Sequence, residues 1–176
     1  MREKYLRTLQ HIKGKYISYR QDEVLLSNGN KATRDIVLHP GAVAIVAITP
    51  DKELILVRQY RYAVGEELLE IPAGKLEADE DPLLAAQREL SEETGYQADH
   101  WQLLTEYYSA VGFCNEKLYL YLASGLKESE AHPDEDEIIR CEKIPFASAM
   151  LKMQQGEVKD SKSLIGLLLA FRDYLS

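Results

Sequence analysis

Apolar and polar positions change period several times along this chain. Residues 13–26 mix aromatic, β-branched and polar side chains, and residues 32–38 repeat the mixture after Ser27-Asn28-Gly29-Asn30. Two strands joined by a turn, a small antiparallel unit, are predicted there. His39-Pro40-Gly41 interrupts the pattern. Residues 42–48 form an apolar strand candidate, Thr49-Pro50-Asp51 turns the chain, and residues 53–60 give another strand. A short apolar run at 68–71 delivers the chain to Pro72-Ala73-Gly74.

The period then becomes helical. Leu83, Ala86 and Leu90 share one face, Asp81 is placed to cap, Pro82 suits the first helical position, and Gly95 suits the position just past the end. Residues 101–108 and 117–123 read as strands around a loop at 109–116, and residues 138–142 as a last strand. Residues 128–137, with six acids and one proline, predict an exposed loop. Residues 146–154 and 163–175 read as helices. This order predicts an α/β fold, a mixed sheet clasped by helices, with residues 1–40 as an N-terminal β unit and 41–176 as the main domain.

Composition narrows the function classes. A net charge of −8 gives a nucleic-acid backbone little to hold. The apolar runs are too short to span a bilayer, and the N-terminus has no signal-like apolar stretch. Cys114 and Cys141, the only cysteines, have no zinc-type spacing; two free thiols fit a reducing compartment, and cytoplasm is the expectation. The four histidines are scattered, and no nucleophile triad is evident.

The candidate chemistry lies between Gly74 and Tyr96. Glu89 and Glu93 stand at i and i+4, with Glu92 beside them at i+3, so all three aim at one small volume. Glu80 comes from the connection before the helix, and Arg88 can fix a carboxylate with its donor fork. Gly74 is expected to permit a tight turn that lets a carbonyl such as that of Ala73 face a cation. A solvated acidic face would need neither the glycines at both ends, nor the arginine, nor the separate Glu80. Gathered carboxylates of this kind suit Mg²⁺, which usually bridges protein to substrate phosphates.

The run Gly-x5-Glu-x7-Arg-Glu-aliphatic-x-Glu-Glu-x-Gly, complete from Gly74 through Gly95, resembles the Nudix box; Tyr96 stands where an aliphatic is usual. The resemblance implies an α/β/α sandwich around a mixed sheet, and hydrolysis of a diphosphate linked to another moiety with Mg²⁺ or Mn²⁺. It implies Glu89, Glu92 and Glu93 as metal ligands with the Ala73 carbonyl, and Glu80 and Arg88 as their support. His39-Pro-Gly-Ala-Val43, Arg58-Gln-Tyr-Arg61, Glu70-Ile-Pro-Ala-Gly74 and residues 159–166 resemble the bacterial ADP-ribose pyrophosphatase branch.

That branch implies a homodimer that exchanges the N-terminal unit, and adenine held between aromatic side chains. Tyr16, Tyr19, Tyr60 and Tyr62 are candidates for stacking. Arg61 is a candidate for the diphosphate, as is Arg34 from the partner chain. Glu70, Gly112 and Glu116 complete the expected substrate contacts. The branch's proline in the loop after the box is replaced here by Val111, which leaves other nucleoside diphosphate sugars and dinucleotides as competitors; hydrolysis of nucleoside triphosphates is the further alternative. The branch brings a late-loop carboxylate to act as base, and Glu135 is favoured over Asp134 and Glu137. A silent nucleotide sensor would be expected to have lost a box carboxylate; all are present.

Overall fold

The structure is a computed structural model and describes residues 2–130 and 138–174. Its elements in order are β1 (Lys4–Lys13), β2 (Ser18–Leu25), β3 (Lys31–Leu38), β4 (Ala42–Ile48), β5 (Glu53–Arg61), β6 (Glu66–Glu70), β7 (Ala73–Lys75), α1 (Pro82–Thr94), β8 (Tyr96–Tyr108), β9 (Lys117–Glu128), β10 (Ile139–Pro145), α2 (Phe146–Gln154) and α3 (Ser161–Tyr174). They fall into two compact units: Met1–Gly41 with Tyr107–Lys117, and Ala42–Glu106 with Leu118–Ser176.

In the first unit, β1, β2 and β3 form an antiparallel sheet in that order. The turn read at Ser27–Asn30 closes the β2–β3 hairpin, with Gly29 at φ 85 and the Leu26 amide donating to the Asn30 carbonyl at 2.8 Å. The sequence reading has two strands here and misses β1. Nearly all of β1 is exposed, so burial imposes no clear alternation on its sequence. Residues 109–116 join this unit through a parallel bridge between Val37 and Cys114, with the Val37 amide donating to the Phe113 carbonyl at 2.7 Å.

In the second unit a mixed sheet runs β10-β5-β4-β9-β8, with β6 paired to β5 and β7 to β4. Strand β4 is the centre. All seven of its residues are buried, as expected of a strand covered on both faces. Val43, Ile45 and Ala47 pack with Ala85, Ala86 and Leu90 of α1. On the opposite face α3 comes so close that a Cβ on Gly166 would lie 2.9 Å from Val46 and 3.0 Å from Ile71. The helices therefore sandwich the sheet. Each fully buried Ile or Leu in it contributes about 1.5–3 kcal/mol.

One edge of β4 is shared. Its first half pairs with β7 (Val43 with Gly74, Ala44 with Ala73), its last residues pair with β5, and between them the Ile45 amide donates to the Pro72 carbonyl at 2.9 Å. This split fixes the glycine segment against the centre of the sheet. Among the described residues no helix is long and apolar enough to cross a membrane.

Candidate active site

Helix α1 begins and ends as its sequence predicts. The Asp81 carboxylate accepts from the Leu83 and Leu84 amides at 2.9 and 3.2 Å, Pro82 opens the first turn, and Gly95 takes a left-handed φ of 70. Such a cap contributes about 1 kcal/mol. The caps fix where the helix starts and stops, and its apolar face, packed on β4, fixes its rotation. Ala85, Ala86 and Leu90 enter the core, and Glu89 and Glu93 are drawn down beside them, only 9% and 6% exposed.

These buried carboxylates meet β7. Glu93 Oε2 accepts the Ala73 amide at 3.0 Å. The Glu89 carboxylate lies across Gly74, where a Cβ would fall 1.8–2.2 Å from its carboxyl atoms. The reason for glycine therefore differs from the sequence reading. Gly74 sits in a strand and is not among the glycines with positive φ. What it provides is space for Glu89.

Arg88 organises the remaining acids. Its Nε and Nη2 grip both oxygens of Glu80 at 2.9 Å, Nη1 donates to Glu89 at 2.8 Å and Glu92 at 2.9 Å, and Nη2 also reaches the Lys75 carbonyl at 3.2 Å. All five N–H donors of a guanidinium are thus in use. The hydrogen bonds to Glu80, then the charge of Glu89, raise the Arg88 pKa, while Arg88 holds the Glu80 carboxyl below its ordinary value. Glu80 also accepts the Glu77 amide at 2.9 Å.

Among the described residues no three His, Cys, Asp or Glu side chains converge as a ready cation cage. Arg88 holds oxygens of Glu80, Glu89 and Glu92. The donor set nevertheless fits a hard divalent cation. Three carboxylates hold one guanidinium, Glu93 follows on the same helix, Glu89 and Glu93 are buried, and Gly74 leaves room for Glu89 against the sheet.

A second cluster lies in the same unit. Glu70 is 1% exposed, and its carboxylate is forked by Arg61 at 2.8 and 2.7 Å. Lys162 also donates to Glu70, and reaches Asp160 at 3.0 Å. Burial pushes the Glu70 carboxyl up, but Arg61 and Lys162 outweigh it and leave the group below its ordinary value. Arg61 is held cationic by its bonds to Glu70, with the charges of Glu93 and Asp160 adding to the effect. The roles of Asp160, Lys162 and Ser163 were not legible in the sequence. The segment 159–166 stood out only as part of a resemblance, and its partners lie far away in the chain. Arg58 pairs with Glu142 across β5 and β10 at 2.7 Å, and Tyr60 and Tyr62 are exposed around the β5–β6 turn.

The other expected substrate residues lie in the first unit. Tyr16 is half-exposed, with the Lys15 ammonium 4.6 Å from its ring. The Tyr19 hydroxyl donates to Asp35 at 2.5 Å, and Arg34 is forked by Glu3. Glu116 accepts from the Ser109 hydroxyl at 2.5 Å and lies 3.6 Å from His39 Nε2, so it braces the loop that carries the exposed Val111 and Gly112. Glu135, Asp134 and Glu137 lie outside the described residues.

Known proteins agree with this architecture. A crystal structure of an ADP compounds hydrolase shares the fold at a TM-score of 0.86, covering 99% of this chain and 95% of that one at 24% identity. The methanol dehydrogenase activator of Bacillus methanolicus is 40% identical over 167 residues, 94% of this chain and 90% of the relative. The ADP-ribose pyrophosphatase of Bacillus subtilis (strain 168) is 38% identical over 165 residues, 93% of this chain and 89% of the relative. The NUDIX domain model matches residues 38–165, a span that takes in the central sheet, the glycine strand and the carboxylate helix. With that match the chain belongs to the Nudix hydrolase family.

Proposed function

We propose that this enzyme hydrolyses ADP-ribose to AMP and ribose 5-phosphate, with Mg²⁺ as the working metal. One observation carries the reading. The buried Glu89–Glu93 pair, seated on β7 with Glu89 held by Arg88, occurs in a chain related over 93% of its length to an ADP-ribose pyrophosphatase. Water attacks a phosphorus of the diphosphate, and the glycosidic bonds stay intact.

Glu89, Glu92 and Glu93, with the Ala73 carbonyl, would hold the cation. When bound, it supplies positive charge to the diphosphate and makes water more acidic. The protein's own part is placement. Arg88 and Glu80 keep the carboxylates on one side of α1, and Gly74 lets Glu89 approach the sheet. Glu70 grips Nε and Nη2 of Arg61, which leaves the Nη1 edge to meet a phosphate oxygen. Tyr16 and Tyr19 are assigned to adenine, and Glu135 to accepting the proton of water. Arg34, whose pairing with Glu3 is exposed and therefore easily displaced by a ligand anion, is assigned to the diphosphate of a partner chain's site.

The enzyme works as a homodimer in this reading. Strand β1 leaves Tyr5, Leu9 and Ile12 exposed, and a small sheet needs further apolar cover to be stable. A fully active monomer in sedimentation equilibrium at micromolar concentration would rule this out.

A substrate panel with Mg²⁺ and Mn²⁺ tests the reaction. The expected result is a higher kcat/KM for ADP-ribose than for ADP-glucose, GDP-mannose, diadenosine diphosphate, NADH or nucleoside triphosphates. A preference of about tenfold or more for another substrate, worth about 1.4 kcal/mol of discrimination, would overturn the assignment. Release of free adenine would overturn the reaction class.

A further inference from the structure

The start of α3 grips the strand end that precedes the glycine segment. Ser163, 1% exposed, accepts the Ile71 amide on its hydroxyl at 2.8 Å, and the Asp160 carboxylate accepts the Ser163 amide at 3.0 Å. Lys162, its side chain 14% exposed, bridges Asp160 and Glu70. The Lys162 ammonium donates to Glu70 Oε2, the oxygen that also accepts Arg61 Nη2, while Oε1 accepts Arg61 Nε.

This geometry couples Lys162 to Arg61. A carboxylate and a guanidinium joined by two parallel bonds behave as one planar unit. Turning the Glu70 carboxylate turns the Arg61 fork with it. Glu70 is buried, and Lys162 approaches it from α3, a different element from the strand that carries Arg61. The ammonium therefore fixes a rotation that the Glu70–Arg61 pair alone leaves open.

We infer that Lys162 is a positioning residue for substrate binding: through Glu70 it sets the plane in which Arg61 presents its outer edge to a diphosphate. The inference rests on the reading of Arg61 as a diphosphate contact. Lys162 itself touches no substrate. Its removal weakens binding far more than it slows the chemical step.

Steady-state kinetics on the full chain with Mg²⁺ and ADP-ribose test it, using Lys162→Met, Arg61→Ala and the double variant. KM does not depend on how much of a preparation is active, so a purely structural role lowers apparent kcat and leaves KM alone. The expected result for Lys162→Met is a rise in KM of about tenfold with kcat held within about threefold, and recovery of KM in Lys162→Arg. On the Arg61→Ala background the same substitution should add less than about twofold, since the two residues act in series. An unchanged KM in Lys162→Met, or a full repeat of its effect without Arg61, overturns the inference while the Arg61 contact stands. An unchanged KM in Arg61→Ala alone overturns the contact and the inference with it. Should Lys162→Met yield no folded enzyme, Lys162→Gln serves as the uncharged variant under the same criteria.

Discussion

Two charged clusters in the same unit are built on opposite principles. Around Arg88, the carboxylates of Glu80, Glu89 and Glu92 outnumber the guanidinium three to one, and Glu93, which accepts the Ala73 amide, adds a fourth negative charge one helical turn from Glu89. Around Glu70, the carboxylates of Glu70 and Asp160 are matched by Arg61 and Lys162. In the balanced cluster Glu70 can be buried because two cations match its charge and that of Asp160. The unbalanced one carries surplus negative charge at the edge of the core, which a bound cation would offset. In the proposed reading the surplus serves the metal, and the balance holds Arg61 in place for the substrate.

The sharpest way to break this comparison is to remove surplus charge without changing shape. Glu93→Gln keeps an oxygen for the Ala73 amide but loses ligand strength. The expected loss is on the order of 10²–10³ in kcat, comparable to deleting a major electrostatic stabiliser, with activity abolished by exhaustive chelation. Unimpaired turnover in either experiment would remove the metal-dependent mechanism.

A pair of glycine substitutions gives the next largest effect. Gly74→Ala places a Cβ in the Glu89 carboxylate, which is the movable end of a side chain. Activity should fall about tenfold or more while the melting temperature changes little, because the acid swings away and the strand stays put. Gly166→Ala instead presses on Val46 and Ile71 inside the core. It should cost about 1–3 kcal/mol of stability and leave KM alone. Calorimetry beside kinetics checks both, and a Gly74→Ala enzyme with normal turnover would show that the close approach of Glu89 is dispensable.

The smallest expected effect is on acid stability. Arg88 holds the Glu80 carboxyl down; for Glu70, Arg61 and Lys162 outweigh burial to the same end. A folded-state pKa below the unfolded value of about 4.3 means that the unfolded chain binds more protons in this range. The stabilisation is therefore fully present above that value and is lost as pH falls through the folded-state values. Melting temperatures should decline on acidification below about pH 4.3, and the decline should be shallower in Glu80→Gln. An identical slope in that variant would show that Glu80 contributes nothing to the linkage.

What the sequence determined by itself was local. Helix α1 was legible from Asp81-Pro82 to Gly95 because caps and a 3.6-residue period act within a few turns. Strand β4 was legible because burial on both faces leaves an unbroken apolar run. The stacking of Glu89, Glu92 and Glu93 follows from the same helical spacing. Tertiary structure alone decided the rest. Strand β1 buries too little to write a pattern into Lys4–Lys13. The glycine at 74 could be read as a turn until Glu89 was seen lying over it. Residues 109–116 join the N-terminal sheet through pairing with β3, and Lys162 finds Glu70 across 92 positions of chain. Such partners are chosen by how the sheet and helices pack, and no window of neighbouring residues contains that information.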